Sequence, residues 1–282
     1  MRELTGKPAG DAINESLKPV IANLKSNGIV PTLAVVRVGA REDDLAYERG
    51  LLKKFASMEC DVKVVELPED VTQEELDNTV AGLDADLTIH GILMFRPLPK
   101  HLTDKNVVAS ISAGKDVDSM GVANMANVFA GNGEGYAPCT AQAVIEMIDH
   151  YGIETKGKKV TVVGRSLVIG KPVALMLIKK NATVTVCHTK TADLKAECLA
   201  ADIIVAAAGC AKMITADYVR PGQIVIDVGM NVDEEGKLCG DVDYAAVSQI
   251  VEAATPVPRG VGSVTTSVLL KNTVTNAARL IE

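Results

Sequence analysis

Short β-branched runs alternate with longer amphipathic stretches over the first hundred residues. Thr32–Val38 (TLAVVRV), Val62–Leu67 and Ile89–Phe95 read as strands, the last closed by Pro97-Leu98-Pro99. Helical spacing covers residues 9–27, with an interruption expected near Pro19 and a stop at Gly28, and residues 43–58. A third helix, Thr72–Leu83, opens on the capping-box pattern Thr72-Gln-Glu-Glu75. Strand–helix–strand–helix–strand predicts a parallel sheet, hence an α/β fold.

Residues 113–138 break the rhythm. They are rich in Gly and Asn, carry Asp116-Val-Asp118 and Gly131-Asn-Gly-Glu-Gly135, and read as a long functional loop or domain junction. A helix at 140–151 leads into a second α/β set. Its strands read Lys159–Val163, Ala182–Cys187, Asp202–Ala207 and Gln223–Val228. These are near-continuous apolar runs, as expected of parallel strands covered on both faces. A Pro/Gly loop then precedes a last helix at Ser263–Ile281.

A chain of 282 residues suggests two domains, or one large one. No apolar run is long enough to span a bilayer, and the N-terminus has no apolar signal region, so a cytoplasmic protein without a membrane partner is expected. Net charge is −7, and aromatic residues make up 3% with no Trp, which argues against nucleic acid as a partner. The six Cys and four His are scattered with no C-x-x-C pair, so the expected metal content is none and the thiols read as free.

The strongest chemical signal follows Lys159–Val163. There the chain runs through Gly164-Arg165-Ser166-Leu-Val-Ile169-Gly170 into a helix expected at Gly170–Lys180. A strand, a Gly-containing turn and a helix N-terminus together bind a pyrophosphate through backbone N–H groups and the helix dipole. NAD-binding folds usually place an acid at the tip of the next strand. Here the tip reads Cys187-His188-Thr189-Lys190-Thr191, two hydroxyls and a cation, with Arg165 in the first turn. That set suits a 2′-phosphate and favours NADP; Asp193 nearby keeps NAD possible.

Several motifs occur together and in order: Lys115-Asp-Val-Asp118, Pro138-Cys-Thr140, Gly164-Arg-Ser-x-x-x-Gly170-Lys-Pro172, Asp227-Val-Gly-Met-Asn231, Gly240-Asp-Val242 and Thr255-Pro-Val-Pro-x-Gly-Val-Gly262. With them, the chain resembles the methylenetetrahydrofolate dehydrogenase/cyclohydrolase family along nearly its whole length. The resemblance implies two α/β domains flanking a cleft. Residues 1–138, joined by the helix 263–282, would bind folate. Residues 139–262 would form a Rossmann-like NAD(P)-binding domain. It also implies a homodimer.

The resemblance assigns roles residue by residue. Tyr47 and Asp118 are the expected catalytic residues, Tyr47 lining the folate site and Asp118 accepting hydrogen bonds from the pterin ring. Leu51, Met94, Phe95 and Arg96 are expected along the same folate site. Pro258, Arg259, Gly260, Val261, Gly262 and Thr265 are expected in the wall where folate and nicotinamide meet. Gly164, Arg165, Ser166, Ile169 and Gly170 would form the phosphate turn, with Thr189 near the adenosine ribose or its phosphate and Met230 on the nicotinamide side.

Several positions depart from the family pattern. Leu51 stands where the Tyr-x-x-x-Lys pattern has Lys, and Phe95 stands where the family has Gln. Asp44 stands at a usual Ser, Arg96 at the first Leu of a usual Gln-Leu-Pro-Leu-Pro, and Arg259 and Ser263 at a usual Gly and Pro. In the family the Lys and Gln are tied to the hydrolytic step. Water addition and ring opening need proton transfers, whereas hydride transfer is chiefly a positioning task. The expectation is therefore an oxidoreductase passing a hydride from 5,10-methylenetetrahydrofolate to NADP, with cyclohydrolase activity lost or weak. The alternatives are a bifunctional dehydrogenase/cyclohydrolase, in which Lys54 or another group replaces the usual Lys, and an inactive folate-binding paralogue.

Overall fold

A computed structural model describes residues 1–281, which form two compact units. The first comprises residues 12–127, 132–139 and 266–281. Its sheet has three parallel strands in the order Asp61–Leu67, Thr32–Val38, Gly91–Met94, with Val35 paired to both Val64 and Leu93. The central strand is buried from Leu33 to Val36, which is why it reads as a continuous apolar run. Its Ala34 and Val36 share a core with Leu76, Val80 and Leu83 of the helix Gln73–Ala85. That helix starts as the capping box predicts: Thr72 Oγ1 accepts the Glu75 N–H at 3.2 Å.

The helix Glu42–Ser57 buries Leu51 and Phe55 and carries Glu42, Asp43 and Asp44 in its first turn, where the helix dipole favours anions. A largely buried ion pair ties it to the sheet. Arg37 Nε meets Glu48 at 2.9 Å, and Arg37 Nη2 meets Glu66 at 2.8 Å. Glu48 is the next residue after Tyr47, so this pair also sets the position of that turn.

Two expectations fail here. The first helix runs unbroken over Gly6–Ser26 with Pro19 inside it. Ile13, Leu17, Ile21 and Leu24 are buried along one face, and Pro19 lies on the exposed face. Water there can solvate the carbonyl that loses its partner, while tertiary burial holds the helix. The segment 113–138 is not all loop, because Val122–Ala130 is helical. Its Asn124 is fully buried and donates to the Ala113 and Asp116 carbonyls and to Asp116 Oδ2, at 2.9–3.0 Å. An Asn that reads as a loop residue is here a buried bridge.

The second unit comprises residues 1–11, 128–131 and 140–265. Its six strands are all parallel, in the order Arg2–Glu3, Ala253–Ala254, Ile224–Asp227, Ile203–Ala206, Lys159–Val163, Thr183–Cys187. Counting from Lys159–Val163, the five strands of the Rossmann-like part follow a doubly-wound order, second-first-third-fourth-fifth. In such sheets the order reverses between the first and third strands, and ligands bind outside the carboxyl ends of the strands at that point. Thr183–Cys187 corrects the expectation of burial on both faces: it is the edge strand, and its Val186 is exposed. A short antiparallel pair, Asn231–Val232 with Leu238–Cys239, lies beyond the strand Ile224–Asp227 and was not foreseen.

Candidate active site

Of the residues expected at the folate site, Tyr47, Leu51, Met94, Phe95, Arg96 and Asp118 lie in the first unit, and residues 258–262 and Thr265 lie in the second. Tyr47 leaves the helix Glu42–Ser57 with 37% of its surface exposed, enough for a flat ligand to reach its ring. Its ring lies 5.6 Å from that of Phe95, tilted by 45°. Leu51, one turn on, is fully buried, and Met94 and Phe95 are buried. The wall around Tyr47 is therefore apolar. Burial, with Cys139 and Asp118 nearby, raises the Tyr47 pKa well above the phenol value, so its hydroxyl stays protonated at neutral pH.

Asp118 Oδ1 accepts the backbone N–H of Cys139 at 2.9 Å. Burial pushes its pKa upward, while the Cys139 hydrogen bonds and Arg96 pull the other way. The Cys139 Sγ donates to the Val117 carbonyl at 3.3 Å, and Asn272 Nδ2 donates to the same carbonyl at 2.9 Å. Neither Cys139 nor Asn272 was among the expected site residues. The Pro138-Cys-Thr140 motif was visible, but nothing in it says that its N–H meets Asp118 across 21 residues.

The rim is charged. Asp44 pairs with Arg41 at 3.9 Å, and Arg96 with Asp104 at 3.5 Å. Each of the two departures thus has its own partner. Lys54 is half-buried, seven residues after Tyr47.

The Gly164–Gly170 turn, expected to hold phosphate, stands at the switch point of the second unit's sheet. Gly164 has φ +133°, and a Cβ there would lie 2.1 Å from the Ala207 carbonyl oxygen. A Cβ on Gly170 would lie 2.2 Å from the Gly164 carbonyl. Only glycine fits at either position. Ser166 Oγ accepts the N–H groups of Ile169 and Gly170 at 3.1 and 3.4 Å, and so closes the turn onto the helix Gly170–Lys179. Arg165, Ser166, Leu167 and Val168 are exposed along it. A tight, solvent-facing turn at a helix N-terminus fits a dinucleotide pyrophosphate.

At the tip of Thr183–Cys187, Thr191 Oγ1 accepts the His188 N–H at 2.8 Å, and His188 Nδ1 accepts the Lys190 N–H at 3.0 Å. Thr189 and Lys190 stand exposed on that loop. Asp193, the residue that kept NAD possible, caps the helix Leu194–Ala200 by accepting the Ala196 N–H at 2.9 Å. Its carboxylate is committed to that helix.

Met230 is 72% exposed, and its methyl would touch a Cβ on Gly262 at 3.4 Å. Gly260 packs so that a Cβ would meet the Pro256 carbonyl at 2.3 Å, and Ser263 Oγ donates to the Gly260 carbonyl at 2.7 Å. Val261 is buried, Thr265 is half-buried, and Pro258 and Arg259 are exposed. Arg259 has φ +80°, a backbone shape that favours glycine, and its guanidinium meets Glu3 at 3.5 Å. Among the described residues no cluster of His, Cys, Asp or Glu could hold a metal ion, and no helix is long and apolar enough to cross a membrane.

Residues 4–118 match the family model for the catalytic domain of tetrahydrofolate dehydrogenase/cyclohydrolase, and residues 138–281 match that for its NAD(P)-binding domain. The chain is 52% identical over 273 residues to the bifunctional protein FolD of Carboxydothermus hydrogenoformans, covering 96% of this chain and 95% of that one. Its fold is similar to the crystal structure of the bifunctional FolD enzyme of Campylobacter jejuni, with TM-score 0.96, 39% identity and 99% of each chain covered. It is also similar to the Trypanosoma brucei methylenetetrahydrofolate dehydrogenase-cyclohydrolase complexed with NADP cofactor and inhibitor. There the TM-score is 0.92 and the identity 35%, over 99% of this chain and 97% of that one.

Proposed function

Because the chain belongs to the tetrahydrofolate dehydrogenase/cyclohydrolase family, we propose that it oxidises 5,10-methylenetetrahydrofolate to the 5,10-methenyl cation with NADP as acceptor. The observation that carries this reading is the Gly164–Gly170 turn, built at the switch point of a doubly-wound sheet. Bound NADP supplies the hydride acceptor. Gly164, Arg165, Ser166, Ile169 and Gly170 would hold its phosphates, and Thr189 its adenosine end.

On the folate side, Tyr47 offers a ring face and a hydroxyl that stays protonated. Asp118, oriented by the Cys139 N–H, is the acceptor we assign to the adjacent N–H donors of the pterin. Leaving hydride makes the substrate a cation whose charge is spread over its own nitrogens. The protein therefore needs to orient the donor carbon and exclude water rather than move a proton. The apolar Leu51, Met94 and Phe95 suit that task.

The same residues bear on the second activity. Leu51 and Phe95 offer neither a titratable group nor an amide, so we propose that the hydrolysis of the methenyl cation is weak or lost. A bifunctional enzyme is the second reading, and the names of the relatives favour it: the 52%-identical FolD and the Campylobacter jejuni enzyme are both described as bifunctional. In that reading Lys54 supplies the relay. A homodimer and a cytoplasmic setting are further proposals; light scattering on the purified protein would give twice the chain mass if the first is right.

The test of the dehydrogenase is the appearance of reduced nicotinamide absorbance when methylenetetrahydrofolate and NADP are mixed with the protein. Asp118→Asn should weaken folate use without changing NADP affinity. No reduction by the wild-type protein at saturating concentrations of both would overturn the proposal.

A further inference from the structure

Two buried carboxylates lie at the carboxyl ends of the strands Ile203–Ala206 and Ile224–Asp227, and neither belongs to the turn described above. Asp241 is fully buried. Three successive backbone N–H groups, those of Ala208, Gly209 and Cys210, converge on its carboxylate at 2.6, 3.0 and 2.9 Å. The Asn231 side-chain amide donates to it at 2.9 Å. Such a run of N–H groups is an anion cradle, and here the protein fills it with its own side chain.

Asp227 backs this arrangement. Its carboxylate accepts the N–H groups of Gly229, Asp241 and Val242 at 2.9, 3.0 and 3.0 Å. A Cβ on Gly229 would lie 2.3 Å from Asp241 Oδ1, and one on Gly240 would lie 1.9 Å from Asp227 Oδ2. The Asp227-Val-Gly-Met-Asn231 and Gly240-Asp-Val242 motifs are thus two halves of one brace. Exposed Met230 sits between Gly229, pinned to Asp227, and Asn231, pinned to Asp241.

In a doubly-wound sheet the adenosine half of a dinucleotide lies toward the second strand, here Thr183–Cys187, and the pyrophosphate lies at the first turn. The other half extends over the third and fourth strands, Ile203–Ala206 and Ile224–Asp227. The loops that follow those two strands, 207–210 and 228–231, are the ones tied to Asp241. We propose that Asp241 is a positioning residue for the nicotinamide half of the bound dinucleotide, acting through these two loops. The proposal rests on the NADP reading above.

The test separates the two halves of the ligand. Calorimetric binding of NADP and of adenosine 2′,5′-bisphosphate, which lacks the nicotinamide half, would be measured on the wild type, Asp241→Asn and Asn231→Ala. Thermal unfolding of each protein would be followed alongside. Losing the carboxylate leaves three N–H groups facing an amide, so Asp241→Asn should weaken NADP about tenfold or more while the bisphosphate changes by less than about twofold. Asn231→Ala removes a single bond and should weaken NADP by roughly threefold, again selectively. It carries the test if Asp241→Asn does not fold. Equal weakening of both ligands, or unchanged NADP affinity in Asn231→Ala, would overturn the proposal and leave the brace a purely structural one. A wild-type protein that binds neither ligand would instead overturn the NADP reading, and the positioning role with it.

Discussion

Tyr47 packs its ring against Phe95, with centroids 5.6 Å apart, on a helix whose next inward residue is the fully buried Leu51. That contact joins the ring expected to line the substrate site to one apolar departure, Phe95, and the other, Leu51, follows one turn along the same helix. Truncating the fully buried Leu51 to Ala leaves a core cavity and should cost about 2–4 kcal/mol in denaturant unfolding. Phe95→Ala removes the ring partner and should raise the folate KM several-fold with NADP affinity unchanged. An unchanged folate KM would separate Phe95 from the substrate site.

Gly164→Ala is the severe substitution on the nucleotide side. Its Cβ would meet a backbone carbonyl at 2.1 Å from a backbone with φ +133°. Neither neighbour is the flexible end of a side chain, so the turn must open. The expected result is loss of measurable NADP binding by calorimetry and a destabilisation of roughly 3 kcal/mol or more.

Arg259 predicts a gain. A non-glycine residue at φ +80° is strained by about 1–2 kcal/mol. Glycine would relieve most of that, less its own unfolded-state entropy of roughly 0.5–1 kcal/mol. The exposed Arg259–Glu3 pair at 3.5 Å contributes little against this. Arg259→Gly should therefore raise Tm by about 1–2 °C in a melting scan.

Asp227 gives the chain a pH dependence of unusual sign. Burial lifts its carboxyl to about 6, despite three backbone N–H groups that pull the other way. The folded state then holds the proton more tightly than the unfolded chain, whose Asp titrates near ~3.9. This contribution is fully present below that value and is lost as pH rises through about 6. It is worth on the order of 2–3 kcal/mol. Unfolding free energy measured against pH should decline across that window in the wild type relative to Asp227→Asn. Parallel curves for the two proteins would contradict the assignment.

Much of this was legible in the sequence. The β-branched runs gave the strands Thr32–Val38 and Lys159–Val163 with their observed bounds, because strands buried along their length leave an unbroken apolar signature. The turn after Lys159–Val163 was visible through its glycines, and the close approach of Gly164 to Ala207 explains them. What stayed hidden depends on partners distant in the chain. Asn124 bridges a loop that composition alone describes as irregular. Asp241 reaches back 33 residues to Ala208, and no local pattern marks a carboxylate as a brace rather than a ligand contact. Asp44 and Arg96, which could have paired with each other, instead pair with Arg41 and Asp104, a choice that only the folded chain decides.

The most direct measurement is a paired assay on the wild-type protein. One cuvette holds methylenetetrahydrofolate with NADP and is read for reduced nicotinamide; the other holds methenyltetrahydrofolate alone and is read for hydrolysis. Nicotinamide reduction is expected in the first and hydrolysis close to the spontaneous rate in the second. Enzyme-dependent hydrolysis keeping pace with reduction would contradict the proposed role of Leu51 and Phe95 and establish the bifunctional reading, while no reduction in the first cuvette would contradict the dehydrogenase itself.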